Sequence, residues 1–238
     1  MRLQPIATDV AARLLVINPN ANAVVTARVR RAAEDIAGSR TQVTVVNPPD
    51  GPLSIETAAD REQAAPKIMD IVRAGAAQRY DAYVLACFDD IALAEARALA
   101  DVPVVGAFEA GLAAVRTVAA RFSIVTTVQT AVPGILNLLR NYGAAGLCTV
   151  RAAGIGVAAA ADEGAFAEKK IAQAIRAAIE EDGAGAILLG SGALAGRAAA
   201  YRQMLPVPVV DPVMAAVKMA EGLAELRLGA RREEFPAA

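Results

Sequence analysis

Histidine and tryptophan are absent from this 238-residue chain, and cysteine occurs only twice. Without histidine there is no Ser-His-Asp triad, no Cys-His dyad, no imidazole base and no histidine-ligated metal. Two cysteines alone do not make a zinc site. Aromatic residues are 4% of the chain, too few for the stacking platforms of single-stranded nucleic-acid binders. Neither charge sign dominates: Lys and Arg number 24, Asp and Glu 25. That balance gives no footprint for nucleic acid or an acidic membrane. The longest uncharged stretch, Phe122 to Leu139, contains Ser123, Thr126, Thr127, Gln129, Pro133 and Gly134. It reads as strand, loop and helix start rather than a membrane span. The N-terminus has no apolar core of a signal peptide. The expectation is a cytoplasmic protein without a disulfide between Cys87 and Cys148, whose acid/base chemistry falls to Cys, Asp, Glu, Lys or Tyr.

What is present is core-forming material. Apolar residues make up 55%, and the length fits one large domain or two small ones. Short apolar runs read as strands over Arg13–Ile17, Gln42–Val46, Ala82–Ala86, Val102–Val105, Phe122–Val125, Ala186–Leu189 and Val207–Val210, with a weaker one at Leu147–Val150. Helical patterns fall between them: Val24–Ala37, Ile55–Ala77, Ile91–Leu99, Gly111–Ala119, Pro133–Asn141, Phe166–Glu180, Ala195–Tyr201 and Pro212–Leu226. Continuous apolar strands alternating with helices predict an α/β fold of parallel sheets flanked by helices. Ligands in such folds lie beyond the carboxyl ends of the strands.

The chain also repeats itself. DAYVLACFDDIALAEARALADVPVVGAFEAGLAAV from Asp81 parallels GAILLGSGALAGRAAAYRQMLPVPVVDPVMAAV from Gly185, and RLLVINPN from Arg13 parallels RFSIVTTV from Arg121. This aligns Cys87 with Ser191, Gly106 with Asp211, Asn18 with Thr126 and Pro19 with Thr127. Two similar pseudo-symmetric lobes are expected, 1–115 with 212–238 packing back on it, and 116–211. Their strand ends would face one cleft.

These segments together resemble the aspartate/glutamate/hydantoin racemase superfamily, closest to its hydantoin racemase branch. The resemblance covers almost the whole chain, with the segment around Cys87 the most specific. It implies two lobes, each giving one cysteine to a cleft. One thiolate takes a proton from the stereocentre and the other thiol returns one to the opposite face, without cofactor or metal. The chain departs from the family pattern at one point. Where the family reads Leu-Gly-Cys-Ala-Gly-Met, this chain reads Leu189-Gly190-Ser191-Gly192-Ala193-Leu194. Cys148, in GLCTVR, does not fill the gap. The resemblance implies Cys87 and Ser191 as catalytic positions, and a hydantoin, allantoin or amino-acid-like small molecule as substrate. A homo-oligomer is compatible with the sequence.

The residues carry chemistry of their own. Cys87 follows a strand and is expected at a helix N-terminus, where backbone N–H groups favour thiolate; as a bland alternative it is a small buried hydrophobe. Asp89 and Asp90 oppose ionisation if they face the sulfur. Serine is a far weaker acid than a thiol, which gives Ser191 a weakened or altered role. Asn18, Thr126 and Thr127 follow strands and are candidate anchors for a carboxylate or imide, or else ordinary helix caps. Phe88, Asp89 and Gly192 join the substrate-binding set, the backbone N–H groups near Phe88 and Gly192 as carbonyl donors. Asn20 and Asn22 read as capping or solvent-facing, and Glu109 as either near the cleft mouth or solvated. The Gly190–Gly196 cluster, followed by Asp211, superficially resembles a dinucleotide fingerprint, but its spacing is wrong and loop packing accounts for its glycines. Two other classes fit the same residues: a one-cysteine isomerase or decarboxylase, and a non-catalytic small-acid binder. The Arg231–Glu234 run reads as a solvated tail.

Overall fold

A computed structural model describes residues 11–162 and 164–226. The tail at Arg231–Glu234, and the part of the final segment beyond 226, lie outside them. Two four-stranded parallel sheets carry the chain. The first contains β1 (Ala12–Ile17), β2 (Thr41–Val46), β3 (Ala82–Leu85) and β4 (Val104–Gly106), in the order β2-β1-β3-β4. The second contains β5 (Phe122–Thr126), β6 (Cys148–Ala152), β7 (Ile187–Leu189) and β8 (Val209–Val210), in the order β6-β5-β7-β8. The central strands β3 and β5 are buried along their whole length, as continuous apolar strands covered on both faces must be. The weak sequence signal at Leu147–Val150 belongs to β6, a half-buried edge strand.

The repeat is literal in the strand register. Ile17 pairs with Leu85 in the first sheet, and Val125 with Leu189 in the second. The next residues, Asn18 and Thr126, therefore occupy equivalent places, as do Cys87 and Ser191.

The helices are α1 (Ala23–Ile36), α2 (Ala58–Ala76), α3 (Leu93–Leu99), α4 (Ala107–Val118), α5 (Val132–Asn141), α6 (Val157–Ala161), α7 (Ala165–Glu180), α8 (Ala198–Met204) and α9 (Pro212–Glu225). Local caps start several of them. The Asn22 side chain accepts from Val24 and Val25 N–H, Thr57 and Asp60 form a capping box, and Asp211 accepts from Val213 and Met214, each satisfying donors that a helix start leaves open.

The two halves exchange their last helices. Helix α4 follows the first sheet but also packs on β7 and β8; its Phe108, Leu112 and Val115 share a core with Phe122, Ile124 and Leu188. Helix α9 follows the second sheet and packs on β1, β3 and β4. Its Glu221 accepts from Gly38 N–H at 2.8 Å and from the Thr41 hydroxyl. A buried apolar cluster runs through both sheets, from Leu14 and Val84 to Val125 and Leu189. The exchange and the shared core hold the carboxyl ends of both sheets together.

Helix α4 begins four residues earlier than its sequence pattern indicates. Its cap comes from a distance: Asp90 accepts the N–H groups of Phe108 and Glu109 at 2.9 and 3.0 Å. Helix α6 has no sequence signature. Its C-terminal carbonyls are held by two guanidinium groups instead. Arg28 donates to Ala161 at 2.8 Å, and Arg197 to Ala160 at 2.6 Å.

Candidate active site

One cavity of about 40 Å³ lies where the strand ends of both sheets meet. Cys87, Phe88 and Asp89 enter it from the turn after β3, and Ser191 and Gly192 from the turn after β7. Asn18 comes from the end of β1, and Thr126 and Thr127 from the end of β5. All eight residues singled out in the sequence therefore line a single space. Its lining contains no lysine or arginine.

Close backbone approaches build the Ser191 side. A Cβ on Gly190 would stand 2.7 Å from Ile124 Cγ2, so only glycine lets this turn settle on β5. The Thr126 hydroxyl donates to the Gly190 carbonyl at 2.9 Å and ties the turn down. Ser191 Oγ accepts from Ala193 N–H at 3.3 Å, an acceptor role that leaves its O–H to donate.

Asn18 is wired into an asparagine network. Its amide nitrogen donates to the Asn20 carbonyl, Asn20 Oδ1 and Thr26 Oγ1, at 3.2, 3.1 and 2.9 Å. Those bonds use its donors, while its Oδ1 accepts only one long bond, from Asn20 N–H at 3.4 Å, and keeps a lone pair free. Asn22 is a cap, as its sequence position suggests. Asn20 is not solvent-facing: it is buried, lines the cavity, and accepts from Asn22 N–H at 3.0 Å. Glu109 is not among the lining residues. It closes the first turn of α4 by accepting from Gly106 N–H at 3.0 Å and pairs with Arg97.

The model of the Asp/Glu/hydantoin racemase family matches residues 14–220. The chain belongs to that family. The hydantoin racemase of Rhizobium meliloti is 41% identical over 208 residues, 87% of this chain and 86% of that one. The hydantoin racemase of Paenarthrobacter aurescens is 38% identical over 216 residues, 90% and 92% of the two chains. Among solved structures, the allantoin racemase of Klebsiella pneumoniae is similar with a TM-score of 0.90 at 39% identity, covering 94% of this chain and 91% of that one. That of Pseudomonas fluorescens gives 0.87 at 34%, covering 93% and 94%. The protein is an isomerase of the racemase type, and neither the decarboxylase nor the binding-protein reading is favoured.

In this racemase Cys87 does not sit on a helix N-terminus, as its sequence context suggests. Residues 87–92 form turns, with Asp90 N–H donating to the Cys87 carbonyl at 3.2 Å, and α3 starts only at Leu93. No helix dipole helps the thiol. Burial pushes it well above the ordinary cysteine range, and the Asp89 carboxylate pushes it further; Asp90 adds to this, while the Asp89 backbone N–H and Arg61 pull it back. The neutral thiol is thus the resting form.

The dinucleotide resemblance also dissolves in the geometry. Gly196 adopts a φ of +82°, which glycine alone takes without strain. Its N–H donates to Asp211 Oδ2 at 2.6 Å. Asp211 spends its other oxygen on α9, leaving it no role toward a ribose.

Sequence reasoning missed the cavity's apolar wall. Ile55, from the segment before α2, and Val157, from α6, both line it, with Val25, Val128 and Ala131. Ile55 and Val157 are brought together by packing across 101 residues of chain, for which no local pattern exists. Among the described residues no helix is long and apolar enough to cross a membrane, and no group of three or more Cys, Asp or Glu is placed to hold a metal ion.

Proposed function

We propose that this racemase moves the proton at the carbonyl-flanked carbon of a neutral cyclic imide, a 5-substituted hydantoin or allantoin, without a cofactor. Cys87 is the acid/base on one face. Ser191 serves the other, donating its proton to the enolate; water returns a proton to the serine oxygen as the Cys87 thiol releases the substrate's proton to water, which restores both groups. Asn18, Thr126, Thr127 and the N–H groups near Phe88 and Gly192 hold the ring. The observation that carries this reading is the placement of Cys87 and Ser191 at equivalent positions of the two repeats, in one cavity with no cation in its lining.

Each feature has a chemical counterpart. A second carboxylate on the substrate would have no lysine or arginine in the lining to meet it, which argues against aspartate and glutamate. Asn18 has its amide donors committed and keeps a second lone pair on Oδ1 beside the long bond from Asn20 N–H, which suits a ring N–H. The names of the hydantoin and allantoin racemases that this chain resembles agree with that choice. The cleft is read as lying between two lobes, 1–115 with the C-terminal helix and 116–211, in a cytoplasmic protein.

Proton NMR in D2O tests the reading, with single enantiomers of 5-benzylhydantoin and of allantoin. Loss of the Cα–H signal with inversion, above the spontaneous rate and absent in Cys87→Ala, is the expected result. Equal exchange by the wild type and Cys87→Ala would overturn it.

A further inference from the structure

One amide donor in the wall of the cavity has no protein partner. Asn20 lines that cavity and is 5% exposed. Its loop is pinned on both sides: Asn18 N–H donates to the Val46 carbonyl and Ala21 N–H to the Pro52 carbonyl, each at 2.9 Å. The partners of its side chain settle which way the amide faces. Asn22 N–H can only donate, so the Asn20 atom it meets at 3.0 Å is Oδ1. Asn18 Nδ2 donates to the same oxygen at 3.1 Å and to the Asn20 carbonyl at 3.2 Å, and Asn20 N–H reaches Asn18 Oδ1 at 3.4 Å. Every polar group of Asn20 is thereby engaged except Nδ2. Among the described residues, the only side-chain nitrogen or oxygen atoms both sealed from solvent and without a partner belong to Arg197. Nδ2 of Asn20 is therefore unpartnered but open, and the space beside it is the cavity.

The other side-chain donors of the lining are accounted for. Asn18 spends its amide hydrogens inside the loop, and the Thr126 hydroxyl is given to the Gly190 carbonyl. The Ser191 hydroxyl and the Cys87 thiol are the proposed acid/base pair, and Thr127 is read as holding the ring. No lysine or arginine lies in the lining. When a proton leaves the ring carbon, the electron pair of that C–H bond moves onto the neighbouring carbonyl oxygen, and no cation meets the charge that grows there. A neutral donor fixed in advance is what such an oxygen needs. That carbonyl is one bond from the carbon that reacts between Cys87 and Ser191, in the same small cavity that Asn20 lines.

Resting on the reading of a cyclic imide racemised between Cys87 and Ser191, we propose that Asn20 is a further catalytic residue, whose Nδ2 donates a hydrogen bond to the carbonyl oxygen that becomes the enolate oxygen. The proton stays on nitrogen, and the bond strengthens as the oxygen gains charge. Asn18 and Asn20 then divide the recognition of the ring, one accepting from an N–H and the other donating to a carbonyl.

Asn20→Asp isolates the donor. It exchanges Nδ2 for an oxygen and keeps Oδ1 for Asn22 N–H and Asn18 Nδ2, so a purely structural role would leave it active. Optical rotation gives kcat and KM for 5-benzylhydantoin. Calorimetry gives the affinity for 5-benzylidenehydantoin, which is planar at the reacting carbon, has no proton there to lose and needs no turnover. Thermal melting checks that each variant is folded. Asn20→Asp is expected to lower kcat about a hundredfold and to bind the planar ring at least about fivefold more weakly. Asn20→Ala, which brings no charge, is expected to lower kcat about tenfold. Wild-type kcat in either folded variant would overturn the proposal, and so would a rise in KM alone or a fall in kcat with the planar ring bound as tightly as before. A wild type that racemises neither 5-benzylhydantoin nor allantoin would overturn the racemase reading and this assignment with it. A wild type that racemises the ring while Asn20→Asp matches it would overturn the assignment alone.

Discussion

Gly192 stands against the backbone carbonyl of Ala86, so close that a Cβ on it would lie 3.0 Å from that oxygen. Ala86 precedes Cys87 and Gly192 follows Ser191, so this contact fixes how near the two proposed catalytic turns come to each other.

A side chain at 192 must push the turns apart, because the atom it meets is backbone. Gly192→Ala is expected to cost about 1–3 kcal/mol of stability and to lower kcat about tenfold or more through misplacement of the facing groups. Thermal melting and D2O exchange measure the two. Wild-type kcat in a folded Gly192→Ala protein would show that the contact does not set the geometry.

Ser191 is the weaker acid of the pair. Ser191→Cys is expected to raise the rate of inversion several-fold, since a thiol releases and recovers its proton far more readily. Optical rotation follows inversion directly. A loss of rate in the folded variant would mean that the hydroxyl is fitted to its place and does not stand in for a stronger acid.

Asp90 makes stability depend on pH. Burial pushes its carboxyl up to about 7, against the pull of the Phe108 and Glu109 N–H groups, with Glu109 adding repulsion and Arg97 relieving it. Between the ordinary carboxylate range and about 7 the folded protein keeps a proton that the unfolded chain has released. Its contribution therefore favours the fold at lower pH and is lost as pH rises through about 7. Urea unfolding of the wild type and Asp90→Asn from pH 5 to 8.5 is expected to show the wild type losing relative stability over that interval. Parallel curves would refute the assignment.

Gly106 and Asp90 occupy one space. A Cβ on Gly106 would fall 2.4 Å from Asp90 Cγ, and Asp90 itself holds a φ of +46°, strained for a non-glycine residue. Gly106→Ala is expected to destabilise by more than about 2 kcal/mol. In an Asp90→Ala background the added penalty should shrink to near the ordinary cost of a surface change. Additive losses would place the strain elsewhere.

The sequence repeat explains why the lining of the candidate site is largely legible in the sequence. Cys87 with Ser191 and Asn18 with Thr126 are equivalent by strand register, and post-strand positions in parallel sheets converge for geometric reasons. The repeat also hides one difference. In the second half Asp211 caps its own helix and reaches the Gly196 N–H; in the first half Gly106 stands at that position and Asp90 supplies the carboxylate from the turn instead. The same interaction is made from opposite ends, which alignment alone does not disclose. The start of α4, the existence of α6 and the wall of Ile55 and Val157 were illegible for a related reason: each depends on partners far away in sequence. The helix expected from Ile91 starts at Leu93, six residues beyond Cys87, so the dipole that the sequence context suggests does not act on its thiol.

The unlike pair proposed here, Cys87 and Ser191, works under a constraint set by the equilibrium. Mirror-image substrates have identical free energies in water, so the equilibrium constant of a racemisation is one, whatever the catalyst. The ratio kcat/KM must then be the same in both directions, however unequal the thiol and the hydroxyl are as acids. The asymmetry of the site can surface only in kcat and KM separately, shifted by the same factor, so that the enantiomer held more tightly is also the one turned over more slowly.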